Sequence, residues 1–370
     1  MNIQRAFGLF IIFLTIGLVV FIKVDSEKAK AIITLADSTG SVTQFVQEKP
    51  SRQVAKGIYL TAQSASNPTK VAAMIKLIDS TELNAVVIDT KDYTGKILYS
   101  SQVPLAVELK TSRPVMADVS AIIRKFHEKN IYVIARQTVF QDPVLAAAKT
   151  DWAIKSKKGG LWRDNLGLAW IDPTKTEVWD YNVAIAKESI ALGFDEINFD
   201  YVRFPTDGNL SLAILPTSTL RRNENMATFF KYLSDSLVAE PAYISVDFFG
   251  FVMERHTGMT IGQRLVDAVN VVDYISPMMY PSHYPKGYLG FDNPAAFPGQ
   301  VVGSGMKQGI GYFSSTTRAE VRPWLQAFNM GAYYDATKIR AQIEAVEKYP
   351  NGGWLLWNAS NNYTSKGLKK

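Results

Sequence analysis

Gly193–Pro205 reads GFDEINFDYVRFP. It begins as the end of a helix, because Gly193 follows Ile190, Ala191 and Leu192 and a glycine at that place commonly takes the left-handed cap. It then becomes a short strand with Ile197, Phe199 and Tyr201 on one face and Asn198, Asp200 and Val202 on the other. A carboxylate and an amide on the inward face cost free energy unless partnered, so they mark a site or a polar network. Arg203 follows at once, and Pro205 ends the pairing. A structural Asp200–Arg203 pair at a strand end is the alternative, and the neighbouring strands favour a site over it.

Outward from this segment, the chain from Lys56 repeats strand then helix. GIYLTA (57–62) precedes a helix with Asn67 as N-cap and Pro68 at its first position, running through Ile78. AVVIDTKD (85–92), a helix over 118–129 and YVIARQTVF (132–140) follow; an excursion over 141–173 and a helix over 174–192 lead into strand four. A helix over 220–238 then precedes YISVDFFGF (243–251), and helical residues 262–269 precede DYISPMMYPSHY (273–284). A short helix over 316–320 is expected before VRPWLQAF (321–328), and a helix over 337–348 before GGWLLWNAS (352–360). Eight strands alternating with helices predict an α/β fold, the (β/α)8 TIM barrel. A doubly wound open sheet is the rival, and no glycine-rich phosphate fingerprint follows any strand to support it.

Phe7–Ile22 is an apolar run without a charge behind Arg5, short for a full span but suited to a signal anchor or signal peptide. The expected organisation is therefore residues 1–22 as anchor or signal, 23–52 as linker or stalk, 53–361 as barrel and 362–370 as C-terminal tail. The membrane is met through residues 7–22, and the barrel lies outside the cytoplasm, anchored or secreted. The chain has no cysteine, which removes thiol catalysis and Cys-ligated zinc. Its three histidines show no HExxH spacing, so no metal site is expected. A net charge of +6 carried by scattered Lys and Arg gives no stripe for nucleic acid. No cofactor motif is present. Seven tryptophans suit sugar-binding faces as well as core packing.

Barrel enzymes build their sites at the C-terminal strand ends, and these are polar here. Asp89 and Lys91 end strand two, Arg136 lies on strand three, and Asn198, Asp200 and Arg203 on strand four. Asp247 follows on strand five, Tyr280 on strand six, Trp324 and Gln326 on strand seven and Trp357 on strand eight. Two carboxylates on neighbouring strands are the minimum machinery for cleaving a glycosidic bond. Ion pairs closing the barrel top are the alternative for any one of these residues.

These segments resemble the family known as domain of unknown function 4015, an exported bacterial group in the barrel-type glycosidase superfamily. The resemblance is carried by KGIYLTA (56–62), VVIDTKDYTGKILY (86–99), WIDPTKTEVWDYNVAIAKE (170–188), GFDEINFDYVRFP, YISPMMYPSHYPKGYLGFDNPAAFP (274–298), VRPWLQAF (321–328) and GWLLWNASNNYT (353–364). It implies a glycosidase-like fold and no particular substrate. Strand four is also similar to the chitinase DxxDxDxE motif, with Asp195, Asn198 and Asp200 at its three Asp positions and Val202 in place of its acid. The substrate-assisted mechanism therefore does not carry over, and an acid must come from another strand: Asp247 first, Glu254 second. The expected function is hydrolysis of a cell-wall or extracellular polysaccharide. Asp200 would be nucleophile or base and Asp247 general acid. Arg136 and Arg203 would orient the carboxylates, and Tyr280, Trp324 and Trp357 would be the sugar platform. Substrate contacts are also expected from Asp89, Lys91, Asn198 and Gln326. A catalytically silent glycan-binding barrel is the rival, favoured by Val202; a barrel enzyme of another chemistry is weaker still.

Overall fold

The computed structural model describes residues 19–25, 30–36, 42–43, 49, 51–215 and 218–370. Eight parallel strands form the centre: β1 Ala55–Leu60, β2 Ala85–Lys91, β3 Tyr132–Thr138, β4 Glu196–Asp200, β5 Tyr243–Phe249, β6 Tyr274–Met279, β7 in two pieces (Glu320–Val321 and Trp324–Gln326), and β8 Gly353–Trp357. Each pairs with the next, and β8 pairs with β1 (Gly57 opposite Leu355), so the sheet closes on itself. Closure excludes the open doubly wound sheet. β7 is interrupted at Arg322 and Pro323, where proline has no N–H for the ladder.

The local signals explain the outer ring. Asn67 accepts from Lys70 N at 3.1 Å and starts the helix Pro68–Asp79. Asp118 caps Val119–His127 in the same way. Gly193, at φ 113°, ends Thr176–Leu192 in the left-handed region. The expected helix over 316–320 is not there; Pro298–Gly309 occupies that place in the ring. Four glycines hide it, since glycine disfavours helix. They serve close packing: side chains at Gly299 and Gly303 would meet Ala341 and Ala345 of the neighbouring helix Ala336–Glu347 at 3.2 and 3.8 Å. The helix expected over 262–269 is a single turn, Leu265–Ala268.

Strand alternation sorts the apolar residues into two layers. Ile88, Val133, Ile197, Phe199, Val246 and Phe248 pack outward against the helices. Tyr59, Val87, Ile134, Tyr243, Tyr274, Trp324 and Leu355 fill the lumen. Low in that lumen lies a fully buried ion pair between Glu196, the first residue of β4, and Arg322. Ser245 Oγ and Tyr132 Oη donate to Glu196 at 2.5 and 3.1 Å, and the Arg322 guanidinium lies 4.0 Å from the Tyr274 ring centroid. This plug closes the lower lumen and leaves chemistry to the upper end.

The N-terminal segments differ from expectation. Val19–Asp25 pairs antiparallel with Lys30–Ala36, and that strand with Val42–Thr43, where a stalk was expected. Their β-branched content favours strands. Most of the apolar run (residues 7–18) lies outside the described residues, and its end, residues 19–22, belongs to a strand rather than a helix. Among the described residues no helix is long and apolar enough to cross a membrane. Lys49 and Arg52, inside the expected stalk, ion-pair with Asp273 at 3.3 and 3.4 Å. The expected tail also packs on the barrel: Tyr363 Oη donates to Tyr59 O at 3.0 Å and Lys369 N to Glu82 at 2.9 Å.

Replacing Arg322 by Met should strand Glu196 and cost about 3–5 kcal/mol of unfolding free energy, whereas Glu196→Gln with Arg322→Met should recover most of it. Urea unfolding of the two variants checks this, and a loss below about 1 kcal/mol for the single variant would show that the pair does not govern the lower lumen.

Candidate active site

The upper lumen is organised by Arg136, which projects inward from β3. Register brings it level with Asp89 on β2 and Asn198 on β4. Its Nη1 donates to Asp89 at 2.7 Å, and its Nε donates to Asp200 Oδ2 at 3.1 Å, reinforced by Nη2 on the same oxygen. The same Nε lies 4.0 Å from Asp247 Oδ2. One guanidinium thus touches two carboxylates and reaches towards a third. Tyr59 Oη donates to Asp89 at 2.5 Å, and the Tyr59 ring stacks on Trp357 with centroids 4.0 Å apart. Trp357 in turn lies 5.0 Å from Arg136.

The carboxyl groups of Asp200 and Asp247 sit in unlike surroundings. Asp200 is held at both oxygens, by Arg136 and by the Tyr201 N–H at 2.6 Å. Tyr201 has φ 55°, uncommon for a residue with a side chain, and turns the chain out of the barrel just after Asp200. Asp247 Oδ1 accepts from Asn198 Nδ2 and Trp324 Nε1, both at 2.8 Å. Its Oδ2 is buried with no hydrogen-bond partner. Burial first, and the nearby Asp200 charge second, push the Asp247 carboxyl well above its ordinary range, against the opposing pull of Arg136. Since two N–H groups occupy Oδ1, a proton held by this carboxyl would sit on Oδ2. Burial also raises Asp89, opposed chiefly by Arg136.

A cavity of about 560 Å³ opens above these groups. Of the residues singled out in the sequence, Arg136, Asp200, Arg203, Asp247, Tyr280, Trp324 and Trp357 line it. Asp89 and Asn198 join the same network one contact away, through Arg136 and Asp247. Four expectations are corrected. Lys91 lies outside the cavity, fully buried against Asp142 at 2.8 Å and Thr138 O at 2.9 Å. A register shift between Asp89 and Lys91 turns it to the outer layer, where its pairing partner Gln137 also bonds Asn182. Gln326 ties loops, accepting from Ser282 N and donating to Phe328 O, both at 3.0 Å. Arg203 has no carboxylate within ion-pair distance among the described residues, so of the two arginines it is Arg136 that orients Asp200. Glu254 accepts from Tyr288 and does not line the cavity.

Sequence reasoning missed Tyr59, and also His283 and Tyr284, which line the cavity from the turn Pro281–His283 where a strand was expected to continue. The alternation of β1 puts Tyr59 inward; its partner Asp89 is visible only once strands are paired. Gly250 also lines the cavity, where a Cβ would stand 2.6 Å from Met278 O. Only Trp324 and Trp357 of the seven tryptophans reach the cavity, whereas Trp162, Trp170, Trp179 and Trp354 are buried in the core. Val202 packs in the outer apolar layer, so a carboxylate at that position would be buried there on this backbone. Among the described residues no cluster of three His, Asp or Glu is arranged to hold a metal ion.

Comparisons with known proteins agree with this architecture. The glycoside hydrolase domain of PgaB (BpsB) from Bordetella bronchiseptica is 12% identical, with a TM-score of 0.61 over 84% of this chain and 95% of that one. An alpha-galactosidase from Thermus thermophilus is 10% identical, with a TM-score of 0.54 over 87% of this chain and 61% of that one. An alpha-L-fucosidase from Paenibacillus thiaminolyticus is 14% identical, with a TM-score of 0.52 over 82% of this chain and 45% of that one. At these identities the likeness concerns the fold. No curated relative matches the chain. A family model described as "Putative glycosyl hydrolase domain" matches residues 57–363, the whole barrel from β1 past β8, and the chain belongs to that glycosyl hydrolase family, domain of unknown function 4015.

Proposed function

We propose that this barrel hydrolyses glycosidic bonds of a cell-wall or extracellular polysaccharide with Asp200 and Asp247 as its two carboxyl groups. The observation that carries the reading is their inequality within one cavity: Asp200 is ion-paired to Arg136, while Asp247 is buried, its Oδ2 has no hydrogen-bond partner, and burial pushes its carboxyl well above the ordinary range. Arg136 Nε stands 3.1 Å from one and 4.0 Å from the other, which caps their separation at about 7 Å. This bound, between the two Oδ2 atoms, reaches only the short end of the spacing of about 6.5–9.5 Å that seats a water, and it supports the covalent route at about 5–5.5 Å.

In that route Asp247 Oδ2 gives its proton to the glycosidic oxygen as the bond to the anomeric carbon breaks. Asp200 attacks that carbon, forming a glycosyl ester. Asp247, now a carboxylate, takes a proton from water, whose oxygen displaces Asp200 and releases the sugar. Trp324 and Asn198 hold Oδ1 throughout, so the proton is exchanged at the free oxygen. Trp357, Tyr280 and Trp324 supply flat walls for sugar rings. Against the silent glycan-binding barrel, which the missing acid at Val202 favours, stand the two carboxyl groups of Asp200 and Asp247 in one cavity. An extracytoplasmic location rests on the uncharged run Phe7–Ile22 behind Arg5.

Asp200→Asn and Asp247→Asn should each reduce hydrolysis of a polysaccharide panel by about 10²–10⁴-fold with the fold intact. Equal release by both variants and wild type removes these residues as catalysts, and no release by wild type on a broad panel returns the silent barrel. The pH profile should fall on its alkaline side as Asp247 loses its proton. A raised folded pKa also means stability lost as pH rises through it. Asp247→Asn should therefore unfold at higher temperature than wild type at neutral and alkaline pH, and lose that advantage below about pH 4, where Asp is protonated folded or unfolded. A melting-temperature series checks the sign. Cell fractionation should find the full-length chain in membranes or, if cleaved, the barrel in the medium; recovery as soluble cytoplasmic protein contradicts the location.

A further inference from the structure

Arg203 lines the catalytic cavity yet has no part in the carboxylate network. It is 7% exposed, and no carboxylate lies within ion-pair distance of it among the described residues. Three aromatic rings surround it: Phe249 at 4.6 Å, Trp170 at 5.0 Å and Tyr201 at 5.5 Å from the guanidinium carbon. Stacking holds the guanidinium plane without satisfying its N–H groups. Nη1 donates to Phe204 O at 3.2 Å and to Thr206 Oγ1 at 3.1 Å. Nε and Nη2 have no hydrogen-bond partner among the described residues. These two nitrogens form the side-on fork that meets a pair of anionic oxygens with two parallel bonds.

The other arginines buried in the lumen are matched. Arg136 meets Asp89 and Asp200, and Arg322 meets Glu196. Asp200, the nearest catalytic carboxylate, is already engaged by Arg136 and the Tyr201 N–H. Burial pulls the Arg203 pKa below its ordinary value, with surrounding Tyr and Asp groups opposing it, yet an arginine stays charged at neutral pH. A buried cation with no anion in ion-pair contact, on the wall of a cavity, is completed by an anion that enters the cavity.

We propose that Arg203 recognises an anionic group on the bound sugar, a carboxylate as in a uronic acid or a sulfate ester, and that acidic glycans are the substrate class. The proposal rests on the glycosidase reading for the sugar, but its test reads binding. Wild type, Arg203→Met and Arg203→Lys are titrated calorimetrically with glucuronate, galacturonate, glucose 6-sulfate and glucose, after thermal melts establish that each is folded. Wild type should bind at least one acidic sugar about tenfold or more tightly than glucose. Arg203→Met should lose that preference, and Arg203→Lys, which keeps the charge without the fork, should fall between. Uronates above the sulfated sugar identify a carboxylate, and the reverse a sulfate. The proposal is overturned if wild type shows no acidic preference, including no binding of any sugar, or if both variants bind acidic sugars within threefold of wild type. Hydrolysis by wild type is measured alongside on acidic and neutral polysaccharides. Cleavage with no acidic preference in binding overturns the role of Arg203 and leaves the glycosidase standing. Arg203-dependent acidic binding without any cleavage does the opposite.

Discussion

Arg136 is the interaction on which the upper barrel depends. Three aspartates on strands two, four and five point into one low-dielectric lumen, and without a cation among them their repulsion and desolvation would oppose the fold. Arg136 bonds Asp89 and Asp200 and stands 4.0 Å from Asp247. Tyr59 and Trp357 hold its plane from the side, at 5.7 and 5.0 Å. Below, the Glu196–Arg322 pair closes the lumen by the same device, turned to packing rather than chemistry.

The allocation of Arg136 sets the difference between the two proposed catalytic groups. Two of its donors go to one oxygen of Asp200, while Asp247 receives only neutral donors from Asn198 and Trp324. Neutral N–H groups stabilise a carboxylate less than a hydrogen-bonded guanidinium does. Burial therefore prevails at Asp247 and pushes its carboxyl well above the ordinary range. One arginine thereby sets an ion-paired carboxylate apart from one with a raised pKa, the division that acid-assisted displacement requires.

Much of this was legible in the sequence because its signals are local. Gly193 as a cap, Asn67 with Pro68 at a helix start, and the polar inward face of Asn198 and Asp200 follow from neighbours a few residues apart. What stayed hidden depends on pairing between strands. Arg203 lies three residues after Asp200 and reads in the sequence as its partner, but the left-handed turn at Tyr201 takes it away. Arg136 is 64 residues from Asp200 and is the true partner. Lys91 keeps the phase of Asp89 in the sequence, and a register shift reverses it. Pro298–Gly309 escaped notice because its glycines serve contacts with another helix.

As general acid, Asp247 must carry a proton at neutral pH in the resting site. Difference infrared spectroscopy of wild type against Asp247→Asn reads it directly. The wild-type spectrum should contain the carbonyl stretch of a protonated carboxylic acid that the variant lacks, and this band should disappear as the pH is raised. A difference spectrum showing only loss of a carboxylate band at neutral pH would contradict it.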